Sequence, residues 1–497
     1  MAEIVVIGAG IGGLSAAIAL AAEGHAVRVL EAAPRPGGKA GYVDLDGVRA
    51  DTGPSVLILP EVLDPVFRAA GTRLADEVVL RRLHRPFRYQ WPDGTVLDLF
   101  HDPEESVQSV RRTLGARPAG ELQDFLVYAR RIWEAAAPHF VLGAPPSLGR
   151  LPWQPRLLGR LPAIDPLHTM RHAIHARVRS PHLRDVLARY ATYNGSDPRT
   201  APATLNCIAW VEIGLGGYGV QGGMYALVEA LERVALRAGA RLHYGSRVES
   251  LDVRAGTVRG VVLDDDRAFE ADAVVVNADV GHLLGALLPV SAPALGFGKA
   301  AVPSTSGWTG ILRARRRNGG EARVPHTVLF SSDPEAEFAD LFDRDRPPAE
   351  PTVYLCAQEA AHGVAGWSGA EPVFVMANAP AEPREHPRDP ATWADLERPV
   401  LERTRAAGLA DPDDALVWRR TPAGLATRFP GSRGSLYGAA SNWALAAFRR
   451  PPNRVATLPG LYLASGSAHP GGGVPLCARS GLAAAEAIHH DLAGRRS

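Results

Sequence analysis

Residues 4–31 read IVVIGAGIGGLSAAIALAAEGHAVRVLE, and this stretch decides the fold of the chain. An apolar, β-branched run leads into a G-x-G-x-x-G turn, an apolar helix, a second strand and a closing acidic residue. The glycines of the turn are Gly8, Gly10 and Gly13, and the acid is Glu31. This order predicts a Rossmann-type β-α-β unit and an α/β fold class.

The turn is expected to bind the diphosphate of a dinucleotide. The helix begins at the turn, so its unpaired N–H groups and the positive end of its dipole point at that anion. Gly10 lets the backbone approach closely, and Gly13 has no Cβ where helix and sheet touch. Glu31 is placed to accept hydrogen bonds from a ribose diol and would repel a 2′-phosphate. The spacing therefore fits FAD or NAD and does not fit NADP.

The same stretch has two other interpretations, a secretory signal peptide and a membrane span, because residues 4–22 carry no charge. No Lys or Arg precedes the run and four glycines interrupt it, which argues against both interpretations. Elsewhere no apolar stretch approaches the roughly 20 residues needed to cross a bilayer. We expect a cytoplasmic protein whose membrane contact is peripheral.

Composition limits the remaining classes. The 497 residues are enough for two or more lobes with separate cores. The balance of 54 basic and 53 acidic residues gives a net charge of +1, which provides no field that would select nucleic acid. Cys207, Cys356 and Cys477 lack metal-ligand or C-x-x-C spacing, so we expect no metal site and a reducing compartment. The sequence leaves the oligomeric state open.

Strand, glycine turn and helix recur near the C-terminus. Residues 461–464 are strand-like, a glycine-dense turn follows, and a helix begins at about Val474. Glycines there would let a flat ring lie on the backbone. The predicted domains are a dinucleotide-binding domain in three parts (1–80, 215–290 and 445–497), a helical region facing substrate and membrane (81–214), and a substrate domain with a mixed sheet (291–444).

One segment is suited to a lipid surface. Residues 135–164 contain no Asp or Glu, and between residues 148 and 161 arginines alternate with Leu and Trp, as in Arg150, Trp153 and Leu157. Arginine interleaved with large apolar residues is typical of contact with anionic lipids. The alternative is a loop-rich lid whose apolar side chains pack inward.

Several less generic motifs accompany these features. They are RYATYNGSDPRTAPATLN (189–206), GGMYAL (222–227), PSTSG (303–307), HTVLFSSDPEAEF (326–338) and HPGGGVP (469–475). Together with the opening unit they resemble the FAD-dependent carotenoid desaturases within the amine-oxidase-like flavoproteins. The resemblance is nearer to the bacterial hydroxycarotenoid 3,4-desaturases, of the hydroxyneurosporene or methoxyneurosporene dehydrogenase type, than to phytoene desaturases. The latter usually have Gly where this chain has Leu476, and then lack the SGLAAA that follows here.

The resemblance implies a Rossmann-type FAD-binding domain, a mixed α+β substrate domain and a helical lid. It implies that the first glycine turn and the Gly38-Lys39 loop hold the ADP half, that the backbone of Val248 contacts the adenine, and that residues 466–474 hold the flavin. The cofactor-binding residues that we expect are Gly8, Gly10, Ile11, Gly12, Gly13, Glu31, Gly38, Lys39, Pro54, Ser55, Val248, Gly466, Gly473 and Val474.

The activity implied is introduction of a C-3,4 double bond into an acyclic, 1-hydroxylated carotenoid, with hydride transfer to flavin N5 and loss of a neighbouring proton. A conjugated polyene spreads the developing charge, so few catalytic side chains are needed. His469 is the first candidate for handling the proton, because an imidazole changes charge near neutral pH. Its alternative role is to brace the turn. Tyr193 and Glu212 are further candidates, and either could instead be structural.

Four other functions stay open. Phytoene desaturase belongs to the same family, and a carotene isomerase would change double-bond geometry without oxidation. A non-redox escort for prenyl lipids would need neither Glu31 nor two glycine turns aimed at one ligand. An amine or protoporphyrinogen oxidase ranks last, since the sequence places no aromatic pair beside the flavin.

Overall fold

The computed structural model describes residues 1–143, 161–297, 302–316, 322–443 and 446–494. The opening stretch forms the predicted unit, with a strand at Glu3–Ile7, a helix at Ile11–Ala22 and a strand at Ala26–Glu31. All residues of the helix from Ile11 to Ala21 are buried, which is why the stretch carries no charge.

The opening strands belong to a five-stranded sheet, called here the parallel sheet, in which each neighbouring pair is parallel. The β-branched run at Ala273–Val276 pairs with Glu3–Ile7, so that Val5 lies beside Val274. Both residues are almost completely buried. In spatial order the strands of the parallel sheet are Leu461–Leu463, Ala273–Val276, Glu3–Ile7, Ala26–Glu31 and Arg241–Tyr244.

The C-terminal helix, Val474–Gly494, packs on the first helix, as the repeated strand, glycine turn and helix pattern predicts. The two helices touch through glycine, because a Cβ on Gly481 would lie 2.3 Å from the carbonyl oxygen of Gly12. The helix Tyr225–Arg237 also packs on the first helix. Three distant parts of the sequence therefore share one core.

A second sheet of seven strands, called here the mixed sheet, is antiparallel except where His326–Leu329 runs parallel to Phe87–Gln90. In spatial order its strands are Ala415–Arg420, Ser306–Arg315, Ala370–Ala379, Val353–Ala357, His326–Leu329, Phe87–Gln90 and Val96–Leu99. The last two strands lie in the part of the chain that we expected to be helical, residues 81–214. They join the sheet because Phe87, Tyr89 and Leu97 alternate as buried side chains.

Helices cover one face of the mixed sheet. Phe125, Tyr190 and Tyr89 are fully buried in the core between them. The α-helices of this region are Pro103–Leu114, Ala116–Ala136, Met170–Arg177, Pro181–Arg189 and Cys207–Ala209. Short 3-10 or π-helical turns extend them at Ala137–Val141, Leu161–Ile164, Tyr190–Asn194, Ala203–Asn206 and Trp210–Leu215.

The remaining elements connect these layers. The Asp46-Gly47 turn has positive φ at both residues and joins Tyr42–Leu45 to Val48–Asp51. The other strands are Leu80–Arg82, Tyr218–Val220, Val248–Arg254, Thr257–Leu263 and Ala268–Glu270. The other helices are Pro60–Val62, Asp64–Ala69, Leu74–Glu77, Val280–His282, Leu283–Leu287, Pro334–Phe342, Gln358–His362, Pro390–Ala406, Pro422–Arg428 and Ala446–Arg449. Within the described ranges, no helix combines the length and the apolar character needed to span a bilayer.

Candidate active site

The first glycine turn, residues 8–13, lies where strand Glu3–Ile7 ends. Gly8 has a φ of +96°, and Gly10 directly precedes the helix. A Cβ on Gly13 would lie 2.1 Å from the carbonyl oxygen of Gly8, and one on Gly10 would lie 2.5 Å from Asn277 Oδ1. A side chain at these positions would clash or strain the backbone, and the first N–H groups of the helix have no intrahelical acceptor, which makes them suitable donors to an anion.

Glu31 ends the second strand beside the first turn. Its carboxylate accepts hydrogen bonds from the N–H groups of Ala9, at 2.7 Å, and Ala33, at 2.8 Å. The N–H of Ser246 donates to the Glu31 carbonyl at 2.8 Å, which brings the start of strand Val248–Arg254 to the same place. Glu31 and Val248, far apart in sequence, therefore lie on one side of the first turn.

The Gly38-Lys39 loop also reaches the first turn. The N–H of Gly37 donates to the Ala9 carbonyl at 2.8 Å, and a Cβ on Gly38 would lie 3.5 Å from Gly10 Cα. Lys39 Nζ donates to the carbonyls of Ser435, at 2.8 Å, and Leu436, at 3.3 Å. Burial lowers the pKa of Lys39. This side chain connects the opening unit to the segment that precedes the second turn.

The second glycine turn, residues 466–474, follows strand Leu461–Leu463 at the same edge of the parallel sheet. Gly471 and Gly473 have positive φ values of 133° and 110°. Nothing lies within 4 Å of a Cβ placed on Gly473, so the backbone faces open space there. A Cβ on Gly466 would lie 3.2 Å from Gly472 Cα, so the turn folds back on itself.

Asn277 joins the two turns and was not among the residues predicted to form the site. Its Oδ1 accepts the N–H of Gly10 at 3.0 Å, and its Nδ2 donates to the carbonyl of Ala464. The available signal was its position directly after the buried strand Ala273–Val276, at the edge where cofactors bind in open α/β sheets.

His469 lies within the second turn and is almost completely buried. Its Nε2 donates to the carbonyl of Gly143 at 3.2 Å, which makes Nε2 the protonated ring nitrogen. Burial lowers the pKa of His469 to about 4, aided by Arg450 and Arg479. The imidazole is therefore neutral at pH 7, and the structure differs from the expectation that it changes charge near neutral pH. Its hydrogen bond to the Gly143 carbonyl fits the alternative role, in which the side chain supports the turn.

Two buried histidines, His362 and His469, make the stability of the protein depend on pH. Burial lowers the pKa of each from 6.5 to about 4. Between these values the unfolded chain binds more protons than the folded protein, so stabilisation present above pH 6.5 is lost as the pH falls to about 4. We expect the free energy of unfolding to fall by about 3 kcal/mol per histidine across this range, measured by urea titration at a series of pH values.

His362→Gln provides the control. His362 Nδ1 accepts the N–H of Val220 at 3.1 Å, and a glutamine oxygen can accept the same bond without titrating. In this variant the free energy of unfolding should fall less between pH 6.5 and pH 4, by the amount that one histidine contributes. A pH profile identical to that of the parent protein would contradict the assignment.

Glu212 and Tyr193 meet in a group of four side chains, called here the phenol cluster: the buried Glu212, Tyr89 and Tyr190, and the partly buried Tyr193. Tyr190 and Tyr89 donate to Glu212 Oε1 at 2.8 Å and 3.4 Å, and Tyr193 donates to Oε2. Burial raises the pKa of Glu212, although Arg189 and the three phenols oppose this shift. The two predicted residues are thus in direct contact, while His469 is bonded elsewhere.

Arg189 supplies the positive charge of the phenol cluster. It donates to Tyr193 Oη at 3.2 Å, and its guanidinium carbon lies 5.1 Å from the Tyr193 ring centroid and 5.8 Å from that of Tyr354. Burial opposes its charge, but the surrounding Tyr and Glu groups outweigh burial and raise the pKa of Arg189. Sequence reasoning missed this residue, although it opens the quoted motif RYATYNGSDPRT.

Ser55 connects the glycine loops to the mixed sheet through Tyr354, which lies on strand Val353–Ala357. Its Oγ lies 2.7 Å from Tyr354 Oη, which lies 2.9 Å from His326 Nδ1. His326 is fully buried, and its Nε2 has no hydrogen-bond partner among the described residues. The neighbouring Pro54 follows Gly53, whose Cβ position would lie 2.1 Å from the Lys39 carbonyl oxygen, so both loops pack together.

Comparison with known proteins identifies the family to which the chain belongs. Residues 11–355 match the family described as flavin containing amine oxidoreductase, which is more than half of the chain. The chain belongs to this family. It is an FAD-dependent oxidoreductase, which confirms the prediction of a dinucleotide site and resolves the choice between FAD and NAD.

The chain is similar over nearly its whole length to proteins named hydroxyneurosporene desaturase. It is 37% identical to hydroxyneurosporene desaturase from Rhodobacter capsulatus over 98% of both chains. It is 36% identical to the protein of the same name from Rubrivivax gelatinosus over 99% of this chain and 94% of the relative. A 4,4'-diapolycopene oxygenase from Methylomonas sp is 29% identical over 99% of this chain and 98% of the relative. The predicted resemblance to the carotenoid desaturase family is confirmed.

Solved structures confirm the fold. An oxidoreductase from Methanosarcina mazei aligns over 97% of this chain and 100% of its own, with a TM-score of 0.63 at 17% identity. Cyclohexylamine oxidase from Brevibacterium oxydans IH-35A aligns over 99% of both chains, with a TM-score of 0.60 at 16% identity. At these identities the likeness concerns the fold alone, and it agrees with the predicted α/β class.

The residues at the two turns fit FAD. Glycine backbone without side chains lines both turns at one edge of the parallel sheet, with open space at Gly473. Glu31 offers carboxylate oxygens for a ribose beside the first turn. Near the second turn, Arg450 Nη1 is buried with no hydrogen-bond partner among the described residues. Helix N–H groups suit the diphosphate and the Glu31 carboxylate suits the ribose, so the residues at the two turns fit FAD.

Proposed function

We propose that the protein is a carotenoid desaturase that introduces a C-3,4 double bond into an acyclic carotenoid, with a 1-hydroxylated carotenoid as substrate. The observation that carries this proposal is 36–37% identity, over nearly the full length of both chains, to three proteins named hydroxyneurosporene desaturase. The two glycine turns at one sheet edge support it, because a hydride acceptor must be held rigidly against its substrate.

When bound, FAD supplies the hydride acceptor at flavin N5. The chain has to hold the cofactor, position the substrate carbon, exclude water and receive a proton from the neighbouring carbon. We assign the diphosphate to Gly8, Gly10, Ile11, Gly12 and Gly13, where the helix N–H groups converge. We further assign the adenosine to Glu31 and Val248, the loop contacts to Gly38, Lys39, Pro54 and Ser55, and the flavin to Gly466, Gly473 and Val474.

For the proton we propose Tyr193 and Glu212 ahead of His469. Burial raises the pKa of Glu212, so its carboxylate holds a proton more readily than an exposed one, and Tyr193 donates directly to it. His469 already donates its Nε2 proton to Gly143, which leaves only Nδ1 to accept another.

Expression in cells that accumulate acyclic hydroxycarotenoids tests the reaction. Desaturation removes two hydrogens and lengthens the polyene, so we expect a red-shifted pigment that is lighter by two mass units than in an empty-vector control. Colour formed only in phytoene-accumulating cells would instead indicate a phytoene desaturase. A heavier, oxygenated product would match the oxygenase relatives, and unchanged mass with altered geometry would indicate an isomerase. A purified protein without flavin colour would favour the escort function.

We also propose that the protein docks on membranes through residues 148–161. A carotenoid has roughly 900 Å² of apolar surface, so transfer from lipid to water would cost on the order of 20 kcal/mol, and the substrate has to enter directly from lipid. Residues 144–160 lie outside the described residues. The described chain leads into them from the Ala137–Val141 turn, which the His469 contact to Gly143 holds against the second glycine turn.

Substituting Asp for both Trp153 and Leu157 should release the protein from membranes. Two buried apolar anchors contribute about 2 kcal/mol each, so we expect binding to anionic vesicles to weaken at least tenfold in a flotation assay. Val79→Asp is the control, because Val79 is 66% exposed in another region of the chain. Vesicle binding and activity that match the parent protein in the double variant would rule out this docking segment.

A further inference from the structure

Arg450 is a partly buried cation that forms no ion pair with the described residues, and its Nη1 atom is fully buried. Its Nη2 donates to two neutral groups, Asn194 Oδ1 at 3.2 Å and Ser441 Oγ at 3.1 Å. Its Nη1 is buried and has no partner, and no carboxylate among the described residues forms an ion pair with it. Burial lowers the pKa of Arg450 to about 10, which still leaves the guanidinium charged at pH 7. A buried, uncompensated charge is costly unless an anion binds there.

The guanidinium lies against the second glycine turn. A Cβ on Gly471 would lie 3.0 Å from both Cζ and Nη1 of Arg450, so the guanidinium packs directly against the backbone of this glycine. The segment that carries Arg450 is attached to the turn, because the N–H of His469 donates to the Pro451 carbonyl at 2.9 Å. Asn453 Nδ2 also donates to the His469 carbonyl at 2.9 Å. Arg450 therefore has a defined place beside the turn.

The position selects the flavin end of FAD over its diphosphate. The first turn follows strand Glu3–Ile7 and the second follows Leu461–Leu463, with Ala273–Val276 between them. Strands lie about 4.8 Å apart, so the two turns start about 10 Å apart along the sheet edge. The helix N–H groups at the first turn already provide for the diphosphate. With the flavin assigned to residues 466–474 as proposed above, the candidate anion beside the second turn is the flavin ring, because it would gain one negative charge on accepting a hydride.

We infer that Arg450 places its guanidinium beside the pyrimidine end of the bound flavin ring and stabilises negative charge on that ring. A hydride carries one proton and two electrons, so its transfer would lower the net charge of the bound ring by one, and the proton lost from the neighbouring substrate carbon would go to a protein group. Arg450 is thus a residue that tunes the cofactor, distinct from the groups proposed to receive the proton. The inference rests on bound FAD and does not depend on which carotenoid is the substrate.

The test measures the reduction potential of the bound flavin without any substrate. In Arg450→Met the equilibrium for two-electron reduction should become at least tenfold less favourable, which corresponds to a fall of about 30 mV. Arg450→Lys, which keeps the charge, should retain most of the parent potential. Arg449→Met is the matched control, because Arg449 is the neighbouring arginine, is exposed, and has its guanidinium over the Trp443 ring.

An unchanged potential in Arg450→Met would overturn the inference, and so would complete loss of FAD from a folded Arg450→Met protein, which would indicate a diphosphate contact instead.

A second measurement needs no variant. If a fixed cation stabilises the charged ring, the parent protein should take up one proton per two electrons from pH 8 down to about pH 6. Uptake of two protons across this range would also overturn it. If the pigment assay fails but the purified protein has an intact flavin spectrum, the proposed desaturase activity is wrong. The potential and the proton uptake of the bound flavin can still be measured, so the inference about Arg450 is tested separately.

Discussion

Replacement of Gly13 by alanine should yield a protein that purifies without flavin and has no desaturase activity. The added Cβ would lie 2.1 Å from the Gly8 carbonyl oxygen and 3.1 Å from Asn277 Cβ. The first contact is with backbone, so the clash is relieved only if the strand, turn and helix move apart. Because the helix N–H groups must converge on the diphosphate, we expect at least a hundredfold weaker FAD binding and a loss of about 1–3 kcal/mol in stability.

Gly120→Ala is the matched control for this substitution. Gly120 lies within helix Ala116–Ala136, and nothing lies within 4 Å of a Cβ placed there. Alanine at such a position should stabilise the helix by up to about 1 kcal/mol. FAD content is measured by absorbance after gel filtration, and stability by urea unfolding. A Gly13→Ala protein with the flavin content of the control would show that the turn does not need this close approach.

Glu212→Ala should destabilise the protein by about 3–5 kcal/mol, the cost typical of breaking a buried charged network. Two buried phenols and the partly buried phenol of Tyr193 would lose their acceptor, and Arg189 would lose a carboxylate that stabilises its charge. Tyr193→Phe removes a single hydrogen bond and should cost about 1 kcal/mol. The free energies of unfolding are to be compared by urea titration of the FAD-loaded proteins.

Glu134→Ala is the control for Glu212, because the Glu134 side chain is 59% exposed and forms an ion pair with Arg130 on the same helix. Its removal should change stability by less than about 0.5 kcal/mol. A Glu212→Ala protein as stable as this control would contradict the structural role of the phenol cluster. Glu212→Gln then separates proton transfer from support: a lower kcat with unchanged KM and stability indicates that the carboxylate receives the proton.

The sequence predicted the parts of the site that depend on local geometry. Gly8, Gly10 and Gly13 follow a strand and precede a helix, and those short-range relations required a close backbone approach that the structure shows. Gly471 and Gly473 were recognisable for the same reason. Asn277 was harder to predict, because its role arises only where Ala273–Val276 lies between two strands distant in sequence.

The charged groups were the least predictable. Arg450 and Arg189 are 2 of 54 basic residues, and nothing in their sequence neighbourhoods distinguishes a buried guanidinium from a solvated one. His469 was correctly placed beside the glycine turn, but its expected titration near neutral pH depended on solvent exposure, and burial lowers its pKa to about 4. Desolvation depends on every element packed around a group, so it is not a property of the local sequence.

By itself, the sequence determined the α/β class, the dinucleotide site and the recurrence of strand, glycine turn and helix at both ends of the chain, because these follow from steric limits and hydrogen bonding between near neighbours. Only the tertiary structure decided which distant residues meet: Glu31 with Ser246, Gly10 with Ala464 through Asn277, Glu212 with three tyrosines, and Arg450 with Gly471. Strand order sets the distance between residues that are far apart in sequence, and burial sets the dielectric environment of their contacts. Strand order and burial are both produced by the packing of the whole chain.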